Sequence, residues 1–166
     1  MPTRIDGKLD AIVLAILGEI QSSLATDSES AFVSLDPDGL ELSAAPGQFI
    51  YVIFPSGGTF DDTLIDGGGN FQATVYATIA IRIYSFVQLD EYGRDTLWLS
   101  QNSLGISEPM RQLLKLISQA DMTDVDGNDL LREPIMPVAF KTIRPSREIG
   151  AIEVLFQVCY DWDLLS

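Results

Sequence analysis

The stretch from Phe71 to Phe86 constrains the fold more than any other part of the chain. Val75, Ala77, Ile79, Ile81 and Ile83 alternate with Thr74, Tyr76, Thr78, Arg82 and Tyr84. A period of two places the first set on one face of a β-strand and the second set on the other. A strand this long exceeds the usual five or six residues. One face is apolar and demands a core. The opposite face is polar and aromatic, and it is a candidate surface for another subunit. The stretch from Ile149 to Trp162 repeats the pattern, with Ile152, Val154, Phe156, Val158, Tyr160 and Trp162 on one side.

The remaining elements are shorter. Leu9, Ile12, Val13, Ile16, Leu17, Ile20 and Leu24 recur at helical spacing, and Asp6 is placed to cap that helix. Strand-like pieces at Ala31 to Leu35 and Leu40 to Leu42 flank the turn sequence Asp36-Pro37-Asp38-Gly39. Gln48 to Phe54 is apolar on both faces, which predicts a central strand stopped by Pro55. A short helical turn is expected over Asp95 to Asn102. Ser107-Glu108-Pro109 then opens a second helix with the stripe Met110, Leu113, Leu114 and Ile117. Ile135 to Ile143 is a strand interrupted by Pro137, so it belongs at a sheet edge or carries a bulge. The order predicts one α+β domain, a mostly antiparallel sheet with both helices on one face.

Between Pro55 and Asn70 the periodicity fails. Gly57-Gly58 and Gly67-Gly68-Gly69 accompany Asp61, Asp62 and Asp66. This segment is expected to be a flexible arm, or a loop ordered by a partner. It is no phosphate loop, because no Gly-Lys-Ser/Thr follows and a strand comes next.

Composition bears on chemistry. The chain has 166 residues, 24 Asp and Glu against 10 Lys and Arg, and a net charge of −14. Such a charge disfavours nonspecific binding to nucleic acid or anionic membrane. There is no histidine and one cysteine. The commonest general base and metal ligand is therefore missing, as are a conventional Ser-His-Asp triad, a thiolate zinc site and an internal disulfide. These absences point away from enzymes, metals and cofactors. Cys159 reads as a small buried hydrophobe in a reducing cytoplasm. The residues Met1-Pro2-Thr3-Arg4-Ile5-Asp6 do not form the start of a signal peptide, and the run Ala11 to Leu17 is too short to span a bilayer, so no membrane association is expected. Asp124-Val125-Asp126-Gly127-Asn128 with Glu133 imitates a calcium loop, but Met122 would occupy its first ligand position and Pro134 follows at once. A hairpin turn is the expected reading. Lys115 lies on a helix face that water solvates, and Trp98 and Trp162 are expected in the core or an interface.

The element order Leu9 to Leu24, Gln48 to Phe54, Ala73 to Phe86, Met110 to Ile117 and Glu148 to Val158 resembles the tail terminator, or neck and tail-completion, proteins of long-tailed bacteriophages and related contractile tails. The resemblance rests on order and length and covers most of the chain. It implies a ring of subunits, usually six, that caps the tail tube, docks on the head connector and catalyses nothing. Its partners would be further copies of itself, the tail tube protein and the head connector or adaptor protein. DNA would pass through the lumen without specific binding, and the protein would reside in the virion. The segments Pro55 to Asn70 and Asp121 to Glu133 match no signature of that family. The candidate contacts with neighbours are Tyr76, Thr78, Arg82 and Tyr84 on the long strand and Phe60, Asp61, Asp62 and Asp66 on the arm. The alternatives are a tail-tube or connector-adaptor subunit, a scaffold or secretion-system component, and, from another class, a carboxylate-based enzyme or small-ligand binding domain.

Overall fold

A computed structural model describes residues 8–25, 27, 29–42, 48–65, 68, 71–86, 107–124, 126–146 and 149–163, the side chains of Phe86 and Asp163 excepted. Among them are two α-helices, α1 (Lys8–Ser23) and α2 (Ser107–Gln119), and five strands. The strands are β1 (Ala31–Val33), β2 (Phe49–Ile65), β3 (Phe71–Phe86), β4 (Glu133–Ile143) and β5 (Ile149–Asp163). They form one sheet in the order β1-β2-β3-β5-β4. Only the β1–β2 pair is parallel; the other three pairs are antiparallel. The fold is α+β, with both helices on one face.

Burial explains that arrangement. Ile12, Val13, Ile16 and Ile20 of α1 and Leu113 and Ile117 of α2 form one cluster with Ile53, Ile79, Ile81, Ile83, Val154, Phe156 and Val158. The strand residues in it are the apolar half of each alternation, so the period-two pattern decides which face the helices cover. Tyr51 lies in this core, and burial pushes its phenol pKa up to about 12.

A second, smaller cluster lies on the opposite face. Ile50, Val52, Tyr84 and Ala151 are buried there beneath Phe32, Leu40 and Leu42. The cover is β1 and the chain after it, which makes a 3₁₀ turn over Pro37–Gly39. The Asp36 carboxylate accepts the Gly39 N–H at 3.2 Å and fixes the turn. Leu40 to Leu42 therefore packs as a strap and not as the expected strand.

The end of β2 differs from the sequence expectation. Pro55 does not stop β2, which continues to Ile65 in register with β3, down to Ile65 opposite Phe71. Register shifts at Pro55/Gly57 and Asp61/Leu64 absorb the proline and the glycines as bulges. The arm is thus the outer half of a β-hairpin as far as Ile65. Asp6, the expected turn at Asp95 to Asn102, Trp98 and Asp66 lie outside the described residues.

Candidate assembly surface

The polar face of β3 divides into two regions. At one end Arg82 is buried and faces Glu153 of β5 directly in register. Its Nε and Nη2 donate to Glu153 Oε2 at 2.9 and 2.7 Å. Its Nη1 donates to Asp38 Oδ1 at 2.7 Å and to the Tyr84 hydroxyl at 3.0 Å. Lys141 of β4 reaches the other Glu153 oxygen at 3.3 Å. The guanidinium also lies 5.4 Å from the Phe54 ring centroid. Burial alone would ease deprotonation of Arg82, but its hydrogen bonds to Asp38, Tyr84 and Glu153 outweigh that and push its pKa further up. The Tyr84 hydroxyl donates to the Pro37 carbonyl at 3.3 Å, which ties the strap down. Arg82 and Tyr84 are therefore engaged inside the chain. A cavity of about 220 Å³ beside them is lined by Leu40, Leu42, Ile143 and Pro145.

Towards the other end Tyr76 and Thr78 are half-buried. Tyr76 faces Cys159 of β5, and Cys159 faces Glu133 of β4. The charges of Cys159 and Glu133 push the Tyr76 phenol upward. Burial pushes the Cys159 thiol up, so it is a packed side chain and a poor nucleophile.

The arm carries the remaining candidates. Residues 56–65 are all exposed. Phe60 points to the helix side, opposite Val75, and Asp61 to the other side, opposite Thr74. Asp62 adopts a positive φ of 48° at the second bulge. Phe60 packs edge-on against Phe71 at 6.0 Å and lies 6.1 Å from Trp162, a cluster at the tip of the sheet.

Among the described residues the sheet has two open edges. On its outer side β2 pairs with β1 only at Tyr51 to Ile53, so the edge beyond has no strand partner among the described residues. The outer side of β4 likewise has none. Phe60, Leu64 and Ile65 on the first edge and Met136, Val138 and Phe140 on the second are each more than half exposed. Exposed apolar edge strands are templates for pairing with another chain. Sequence reasoning found Phe60 but missed β4, whose signal was the apolar run Met136 to Phe140 in a strand already placed at an edge.

The remaining motifs resolve locally. Asp124 accepts the N–H of Asp126 and of Asn128, each at 2.9 Å, and the Thr123–Asp129 bridge closes the turn around Gly127. Its carboxylate is held low first by the backbone N–H of Asn128. No group of three or more metal-ligating side chains occurs among the described residues. No helix among them is long and apolar enough to cross a membrane. Comparison with protein-family models finds none that matches the chain, and comparison with curated proteins finds no match either.

Proposed function

We propose that this chain is a structural subunit of a virion, a ring-forming tail terminator at the head–tail junction. The observation that carries this reading is a sheet with two apolar, dissimilar edges that have no strand partner among the described residues. Dissimilar edges join head-to-tail, and head-to-tail contacts close into rings when the rotation permits. The net charge of −14 suits a lumen that must pass DNA without holding it. The tail tube and the head connector are the proposed neighbours on the two sides of the ring. A carboxylate-based enzyme would place an acid of raised pKa in a cleft. Among the described residues the carboxyls displaced from their ordinary range, Glu108 and Asp124, are displaced downward and lie at the surface.

The test is light scattering over a concentration series with electron images of the same samples, repeated with assembled tail tubes present. A discrete ring, alone or on tube ends, is the expected result. A protein that stays monomeric at every concentration and leaves the tube ends bare ends this reading.

A further inference from the structure

We propose that the outer half of β2 of one copy pairs antiparallel with β4 of the next, with Asp61 opposite Lys141. This deepens the ring reading above and rests on it.

Strand sense comes first. β2 is antiparallel to β3, β3 to β5 and β5 to β4, so β4 runs opposite to β2. When the sheet continues head-to-tail into a second copy, the new junction is antiparallel and keeps the alternation. Proline limits the usable length. Pro134 and Pro137 offer no N–H, so the outer side of β4 is competent from Val138 to Ile143.

Face matching then restricts the register. Asp61 and Lys141 both project from the face away from the helices, opposite Thr74 and Glu153 respectively. Phe60 and Phe140 both project from the helix side, opposite Val75 and Val154. A continuous sheet therefore sets odd positions of β2 against odd positions of β4 here.

Charge selects among the permitted registers. Residues 132–144 hold Arg132, Lys141 and Arg144 against Glu133 alone, so 3 of the 10 basic residues fall in this one segment of an acidic chain. Residues 55–65 hold Asp61 and Asp62 and no base. Arg132 contacts Asp161 and Lys141 contacts Glu153, yet both side chains remain more than half exposed. Asp61 opposite Lys141 places Thr142 against Phe60. Phe60 and Phe140 then lie diagonally on one face, within reach of each other.

Cysteine cross-linking tests the register, because directly opposed antiparallel positions suit a disulfide. The native Cys159 is buried and does not compete. The double variant Asp61→Cys/Lys141→Cys, oxidised during the concentration series, is expected to give a ladder of covalent oligomers on a non-reducing gel. The pair Leu14→Cys/Lys141→Cys is expected to give none. Asp61→Lys and Lys141→Asp are each expected to weaken association at least tenfold, and the two together to restore it. Circular dichroism confirms that each variant is folded. A discrete oligomer that fails to cross-link overturns this joint and leaves the ring reading standing. Protein that stays monomeric, forms no cross-links and leaves the tube ends bare overturns both.

Discussion

Arg82 and Glu153 are two charges that β3 and β5 bury against each other, and their partners decide what each is worth. Removing one member of a buried pair strands the other and typically costs about 3–5 kcal/mol. Glu153→Gln is expected to lose stability in that range, read as a lower urea midpoint. Asp38→Ala removes an ion-pair partner whose side chain is 83% exposed, so its expected loss is smaller, roughly 0–1 kcal/mol. The double variant Arg82→Met/Glu153→Leu is expected to recover most of the loss, since it leaves no buried charge behind, and Asp38 and Lys141, which lose these partners, are mostly exposed. Asp124 gives a pH signature. Its folded pKa lies below the ordinary carboxylate value, so the stability it confers is present above that value and fades as pH falls through the folded one. Amide exchange, corrected for its intrinsic pH dependence, should show the protection of Asp126 and Asn128 falling as pH drops through the acid range. The network itself was not legible in the sequence. Arg82 was visible as a polar residue on the far face of a strand, but Asp38 and Glu153 lie 44 and 71 residues away along the chain. Only the strand register and the strap bring them together.

The β2–β3 hairpin is the element on which the proposed assembly depends, and its geometry turns on Gly58. A methyl group there would sit 2.7 Å from the Tyr76 carbonyl oxygen and 3.0 Å from the Ala77 Cα. Both are backbone atoms of the paired strand, so neither can rotate away. Gly58→Ala is expected to cost about 1–3 kcal/mol by crowding. The loss should be local: amides from Thr59 to Ile65 lose exchange protection while those from Ile50 to Ile53 keep theirs. The same element marks where the sequence stopped being readable. β3 was placed from Phe71 to Phe86 because burial of one face writes an alternation into it, and β5 and α1 were read the same way. Beyond Pro55 every β2 residue from 56 to 65 is exposed, so no burial selects an alternating pattern. Two bulges shift whatever period remains. That half of the strand is held by hydrogen bonds to β3, a tertiary cause that local composition does not record.

At the scale of the whole molecule the proposed ring faces its own charge. A compact chain of 166 residues has a radius of gyration of about 15 Å, so neighbouring centres lie roughly 30 Å apart. Two bodies of −14 at that separation repel by about 27 kcal/mol in unscreened water. At physiological ionic strength the screening length is about 8 Å, and nearly all of that repulsion disappears. The contact between Asp61 and Lys141 acts over a few ångströms, within the screening length, and loses far less. Salt therefore favours the joint by removing the long-range repulsion before the short-range attraction. The oligomeric fraction at fixed protein concentration is expected to rise steeply between about 10 and 150 mM sodium chloride and to level off above that. Light scattering across that range checks it. An association driven mainly by attraction between oppositely charged faces would instead weaken throughout the titration. A rise followed by a plateau identifies apolar contact and strand pairing as the cohesive forces, with Asp61 and Lys141 setting the register.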